Sequence, residues 1–234
     1  MSLINNVAKL VDNTKDIDNV FYVKDKVSYD DDISILDIEL STIIPHPPKN
    51  SSLTTSKELD VLVEATKDRT RQEINLLYNV DDSPLNVFFP FADQKKLKMP
   101  MAKINAYYNV LEQYMYALKY YFNRARPEQI APYYNKKIDV LYTKTHSTPA
   151  YPSGHTIYAE MVAHILSDTY PDYKKDFFKL AKYCGLARIL QGVHYPSDNE
   201  ASIIAVNKLY PKIKEHYDEQ AGTKEDTLDR QPKV

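Results

Sequence analysis

Apolar residues in this chain recur every three to four positions over long stretches, a period that admits helices and little else. Between residues 101 and 123, Ile104, Tyr108, Leu111, Met115, Leu118 and Phe122 form one such stripe. Pro127 ends that helix at or before Arg126, because proline disfavours a helical predecessor. Leu59, Leu62, Val63, Thr66, Thr70, Ile74 and Leu77 predict a helix over residues 56–78. A short aromatic segment spans 84–96. Ile157, Met161, Ile165 and Leu166 predict a helix over 154–168, and another covers 172–191. The last helix starts after Pro196, where Ser197 and Glu200 read as a capping box. Only 4 of 234 residues are glycine, too few for the tight turns of an all-β chain. The expected fold is all-α, a single-domain helical bundle.

Around that bundle the organisation is simple. Residues 1–43 lack a firm helical period and read as an irregular N-terminal arm, with a β-prone Val20-Phe21-Tyr22-Val23 and an acidic Asp30-Asp31-Asp32 taken as a solvated run. Ile44-Pro45-His46-Pro47-Pro48 must be extended. The helical domain then covers 44–220, with a long loop over 128–152 of the kind that often carries function. Residues 221–234 read as a flexible tail.

Bulk properties exclude some classes of activity. With 30 basic and 32 acidic residues, a net charge of -2 gives no global attraction to nucleic acid or to an anionic membrane. No apolar run reaches the roughly 18 to 20 residues that cross a bilayer, so no transmembrane segment is expected. Cys184 is the only cysteine, so no intramolecular disulfide can form. Residues 1–18 carry no apolar stretch like a signal peptide, which favours a cytoplasmic location.

The chemistry lies in residues placed against the pattern. On the stripe Phe177, Ala181, Cys184, the next position is Arg188. A buried arginine is costly unless it meets an anion, and the alternative is a structural salt bridge. Lys119 sits at the edge of the stripe through Met115 and Phe122, where a snorkelling stem is the alternative. Arg126 is either an anion ligand or a helix-end charge. Pro152-Ser153-Gly154-His155 stands just before a helical pattern, and the exposed first-turn amides of such an end bind phosphate. Gly154 lets an oxyanion approach the backbone, although the tetrapeptide is equally compatible with a plain helix cap. Between two helices, His194 is followed by Asp198. A carboxylate that takes the Nδ1 proton of an imidazole leaves Nε2 as a lone-pair nucleophile, and Asp198 can equally serve the helix N-terminus.

Taken together, Lys119-x6-Arg126-Pro127, Pro152-Ser153-Gly154-His155 and Arg188-x5-His194-x3-Asp198 resemble the three-part signature of the type 2 phosphatidic-acid phosphatase superfamily. That superfamily includes soluble class A nonspecific acid phosphatases and vanadium haloperoxidases. The chain is closest in character to the first of these, and the 44–48 segment with the following helix is loosely similar to their N-terminal part. The resemblance implies a helical bundle of the acid phosphatase/haloperoxidase type. It also implies a metal-independent phosphatase in which Lys119, Arg126, Ser153, Gly154 and Arg188 bind the phosphoryl group. His194 would then attack phosphorus, Asp198 orient it, and His155 protonate the leaving group and later activate water. No cofactor is implied, with vanadate as an inhibitor. A mildly acidic pH preference follows from the need to protonate His155. One departure is Ala187, where the family usually has serine.

The competing readings are a vanadium-dependent haloperoxidase, with vanadate as cofactor in the same pocket, a lipid or isoprenoid (pyro)phosphate phosphatase, and a phosphate-binding protein that keeps the pocket without turnover. The expected partner is a small-molecule phosphate ester, not nucleic acid, with a homo-oligomer possible. His146 and Arg124 adjoin the motifs as structural or solvent-facing residues, Tyr151 and Tyr195 are candidates to line the pocket, and His164 reads as packing.

Overall fold

The computed structural model describes residues 16–23, 36 and 38–228, with side chains described as far as residue 218. The acidic run at 30–32, most of the 1–43 arm and residues 229–234 lie outside the described residues. Within the arm, Ile17–Asn19 form a 3-10 turn, and Phe21 makes an isolated antiparallel bridge to Arg124. Leu40–Thr42 form a second 3-10 turn.

Among the described residues the architecture is all-helical, without a named strand. The helices are α1 (Leu53–Thr66), α2 (Arg71–Asp82), α3 (Phe89–Lys95), α4 (Met101–Phe122), α5 (Pro127–Ile130), α6 (Gly154–Thr169), α7 (Lys174–Leu190) and α8 (Pro196–Leu228). Helix α6 is the axis of the bundle. It buries residues on every side, among them Ile157, Met161, Val162, Ile165 and Leu166, and packs against α7, α8 and α4. The α4 stripe carries Ile104, Leu111, Met115 and Leu118 into the same core. A second, smaller apolar cluster joins Leu59 and Leu62 of α1 to Ala125, Ile130, Ala150 and Tyr195 beneath the motif loops.

Four expectations need correction. The single helix over 56–78 is two helices, because Thr70 and Glu73 form a capping box that starts α2 and Asp68 takes a left-handed φ of 58° before it. The 128–152 segment is partly regular: α5 and a 3-10 turn at Ala131–Tyr134 precede the irregular stretch. Ser197 and Glu200 make no capping box. Glu58 of α1 accepts from both the Ser197 amide and its hydroxyl, while Asp198 accepts from the Tyr195 amide and so caps α8. Finally, α8 continues past residue 220 to Leu228. No described helix is long and apolar enough to cross a membrane.

Candidate active site

Four helix ends meet at one end of the bundle: the C-termini of α4 and α7 and the N-termini of α6 and α8. They bring Lys119, Arg188, the 153–155 segment and the His194–Asp198 pair together around a cavity of about 420 Å³, a volume suited to a small ligand. Its lining includes Lys119, Arg126, Gly154, His155 and His194 from the motifs. It also includes Lys144, Thr145, Ser147 and Thr148 of the 128–152 loop, and residues the sequence did not single out for the site: Asp81, Asp82, Tyr108, Tyr116 and Tyr158. Ser153, Arg188 and Asp198 lie immediately behind this surface, each buried.

The hydrogen bonds around His194 fix its tautomer. Arg126 Nη1 stands 3.0 Å from His194 Nε2. A guanidinium only donates, so Nε2 must hold a lone pair. The proton is therefore on Nδ1, which donates to Asp198 Oδ2 at 3.0 Å. Asp198 is fully buried and also accepts from the Tyr195 amide at 2.9 Å. Burial and then the cations Arg126, Lys119 and Arg188 push the imidazole well below its ordinary pKa, so the ring is neutral. A neutral imidazole with an Nε2 lone pair held beside an arginine is the form a nucleophile requires.

The cations are held just as firmly. Lys119 is buried, not snorkelling, and its Nζ donates to the Pro149 carbonyl at 2.6 Å. Burial, followed by repulsion from Arg126, drives its ammonium well below the usual lysine range, against the attraction of Asp198. Arg126 donates through Nε to the Thr148 carbonyl at 2.8 Å and through Nη1 to the Val193 carbonyl at 2.7 Å. Burial lowers it to about 10. An anion placed among these groups opposes both shifts, because its charge favours the protonated cations.

Arg188 realises the salt-bridge alternative and stays inside the site. Its Nη1 donates to Asp81 Oδ1 at 2.5 Å and to Gln191 Oε1 at 2.7 Å, and Nη2 donates to Thr145 Oγ1 at 3.1 Å. Its Nε is buried without a hydrogen-bond partner, one donor still to satisfy. Ala187 is fully buried in the main core beside it.

Ser153 occupies the N-cap position of α6, yet no side chain caps this end. Its hydroxyl oxygen instead accepts from Thr156 Oγ1 at 3.0 Å, and its amide donates to the Asp198 carbonyl. The α6 dipole and first-turn amides therefore face the cavity without a capping oxygen. A Cβ at Gly154 would meet Met115 Sδ at 2.8 Å, so a larger residue there would push the Met115 side chain of α4 aside. His155 Nε2 lies 3.1 Å from the Asp81 carbonyl, an acceptor, which puts a proton on Nε2. Burial and then Arg188 lower this histidine to about 3, against the Asp81 carboxylate 3.9 Å away, so without a further anion the ring stays neutral even at mildly acidic pH.

Among the neighbours of the motifs, Arg124 takes the structural of its two readings: it is buried and lies over the Tyr195 ring at 3.9 Å. Tyr151 and Tyr195 do not line the cavity; both are buried, and the Tyr151 hydroxyl donates to the Pro45 carbonyl, which ties the 44–48 segment to the second motif. His146 is held by the Thr143 carbonyl away from the lining. His164 packs on Tyr210 and Phe178 as expected. Cys184 is buried with its thiol pushed up to about 12 by burial, so it is inert.

Comparison with known proteins agrees with this geometry. Residues 102–206, which carry all three motifs, match the family model of the PAP2 superfamily. The similarity to that superfamily lies in this segment. Among solved structures, a transmembrane PAP2 type phosphatidylglycerolphosphate phosphatase from Bacillus subtilis aligns at 15% identity and TM-score 0.48, covering 73% of this chain and 88% of that one. A holo-type bacterial vanadium-dependent chloroperoxidase aligns at 14% identity and TM-score 0.49, covering 76% of this chain and 52% of that one. The present chain thus spans about half the length of the chloroperoxidase. No curated protein sequence matches the chain.

Proposed function

We propose that this chain is a metal-independent phosphatase that hydrolyses phosphomonoesters through a phosphohistidine on His194. The observation that supports this best is the His194 tautomer: Asp198 holds the Nδ1 proton and Arg126 faces the Nε2 lone pair. On this reading a phosphate ester enters the cavity and its oxygens take over the Arg126 contact to Nε2. Lys119, Arg126 and the free Nε of Arg188 neutralise the equatorial oxygens, and the Gly154 amide at the start of α6 adds a donor. Ser153 contributes its hydroxyl hydrogen. His194 Nε2 attacks phosphorus in line as the ester P–O bond breaks, and His155 gives a proton to the leaving oxygen. Water, giving a proton to His155, then attacks phosphorus as the P–N bond breaks and its electron pair returns to His194 Nε2. Phosphate leaves and neutral His194 is restored.

The protonation of His155 is supplied by the substrate in this scheme. Burial beside Arg188 keeps the free ring neutral, and a phosphoryl dianion next to it raises its pKa, so acid and substrate arrive together. A mildly acidic optimum then belongs to kcat and not to the free protein.

Tyr108, Tyr158 and Tyr116 also line the cavity, with the Tyr108 and Tyr158 rings 4.3 Å apart. These side chains and the 144–148 stretch are where leaving groups are sorted. The test is a phosphomonoester panel including a lipid phosphate, run with EDTA and with vanadate as inhibitor, beside a bromide-oxidation assay with vanadate and peroxide. Hydrolysis that survives EDTA and is blocked by vanadate supports the proposal. Bromide oxidation without hydrolysis overturns it in favour of a haloperoxidase, and phosphate binding without turnover overturns it in favour of a non-catalytic protein.

A further inference from the structure

Behind the His194–Asp198 pair stands a second set of buried charges that the three motifs do not include. Arg124, in the short link between α4 and α5, donates through Nη1 to Asp198 Oδ1 at 2.6 Å and to Ser197 Oγ at 2.8 Å. Its Nη2 donates to Glu58 Oε2 at 3.2 Å. Glu58, buried on α1, accepts from the Ser197 amide at 2.6 Å and from the Ser197 hydroxyl at 3.0 Å. The guanidinium is closed in by the Tyr195 ring at 3.9 Å and the Tyr151 ring at 5.8 Å. A continuous line of contacts therefore runs from α1 through Glu58, Arg124 and Asp198 to the Nδ1 of His194.

We propose that Arg124, braced by Glu58, is a positioning residue that keeps Asp198 an ionised and fixed acceptor for His194 Nδ1. The inference rests on the phosphohistidine reading above. The physical reason is the burial of Asp198. A carboxylate shut off from water is stable only beside a cation, and the groups facing this one are Arg124, Arg126 and Lys119 as cations, Glu58 as a like charge, and His194, Tyr195 and Tyr151. Of these Arg124 alone is in ion-pair contact with its oxygens, apart from His194 itself. Without Arg124 the carboxyl takes up a proton at a higher pH. It then no longer holds the Nδ1–H tautomer, and Nε2 loses the lone pair that must attack phosphorus.

Glu58 explains why the support has two members. Arg124 alone would swing with a flexible side chain, whereas the carboxylate on α1 fixes the second arm of the fork and also holds the first turn of α8 through the Ser197 amide. One contact set thus aligns both the carboxylate and the helix that carries it.

The test uses Arg124→Met, Arg124→Lys and the double variant Arg124→Met/Glu58→Gln, with His194→Ala as reference. The scale taken here is that of outer partners orienting metal-bound imidazoles, about 10–100-fold. The expected result for Arg124→Met is a fall of that size in kcat with KM little changed, slower formation of the trapped phosphoenzyme, and an acid limb of the pH–rate profile moved to higher pH. Arg124→Lys, which restores one charge, recovers part of the rate and moves the limb back. The double variant removes the carboxylate left unpaired by the first change, so its melting temperature rises above that of Arg124→Met while kcat and the acid limb stay perturbed. Return of kcat along with melting temperature in the double variant would show Arg124 to be merely structural and overturn the proposal, as would an unmoved acid limb in Arg124→Met. Near-normal activity in His194→Ala would instead remove the phosphohistidine reading itself, whatever Arg124 does.

Discussion

Removing the carboxylate of Asp81 tests whether the cavity is organised around an anion. Arg188 is 1% exposed and its principal ionic partner is Asp81 at 2.5 Å. In Asp81→Asn the side-chain shape is kept, Gln191 and Thr145 still accept from the guanidinium, and only the counter-charge is lost. Breaking a buried ion pair by deleting one charge costs about 3–5 kcal/mol, and the surviving acceptors place this case near 3 kcal/mol. For a chain of this size each kcal/mol moves the melting temperature by about 2–4 °C, so the variant should melt about 6–12 °C below the wild type. Inorganic phosphate at a hundred times its Kd stabilises the wild type by about 2.7 kcal/mol. In Asp81→Asn it also replaces the missing charge beside Arg188, so phosphate should raise the variant's melting temperature by more than the wild type's. The assay is a thermal melt of both proteins in a phosphate-free buffer and again with saturating phosphate. Equal melting temperatures without phosphate, or equal gains with it, would refute the idea that a phosphoryl group can supply the counter-charge that Asp81 gives Arg188.

Two further outcomes follow from the same arrangement. Burial holds His155 at about 3 and His194 well below the ordinary histidine value, so below pH about 6.5 the unfolded chain binds more protons at these two rings than the folded one. Stability from these two neutral rings is complete above that pH and falls as pH drops toward 3; Glu160, pushed up to about 7 by burial, and Asp198, also raised by burial, titrate in the opposite sense and soften the fall. Melts at pH 7, 6 and 5 without phosphate should decline in that order, and a flat series would contradict the burial of the two rings. Gly192 has a φ of 78°, and a Cβ there would meet Ile138 Cγ2 at 2.8 Å and Thr66 Cγ2 at 3.2 Å. Gly192→Ala therefore combines a left-handed backbone penalty with overpacking, about 2 kcal/mol or more, and because it moves the turn that carries His194 it should lower kcat as well as the melting temperature. Unchanged kcat at reduced stability would mean that the turn does not position His194.

What the sequence disclosed and what it withheld divide along contact range. The three motifs were legible because each couples residues a few positions apart to a helix end. Arg188 on the apolar stripe of α7 and Ser153-Gly154 at the start of α6 mark such ends. The supports were not legible because they arrive from helices distant in sequence. Glu58 reaches Ser197 from α1, Asp81 reaches Arg188 from the end of α2, and the tyrosines of the cavity come from α4 and α6. A signal existed for two of them. Glu58 lies on the buried face of α1 with Thr55, Leu59 and Leu62, and Asp81 lies on that of α2 with Leu77 and Val80. The reasoning that drew attention to Arg188, a charge on an apolar stripe, applies equally to these carboxylates. The split between α1 and α2 was hidden for a different reason: the apolar period runs through the break, and only the Thr70–Glu73 capping box interrupts it.

The central claim is that His194 becomes covalently phosphorylated. It is tested by denaturing the protein at alkaline pH during turnover of a 32P-labelled phosphomonoester, conditions under which a phosphoramidate survives, and locating the label by peptide mapping. The account predicts label on the peptide that contains His194, none in His194→Ala, and a loss of kcat in that variant of about 10⁴-fold or more. Label elsewhere, or His194→Ala hydrolysing substrate at a rate near the wild type's, would contradict it.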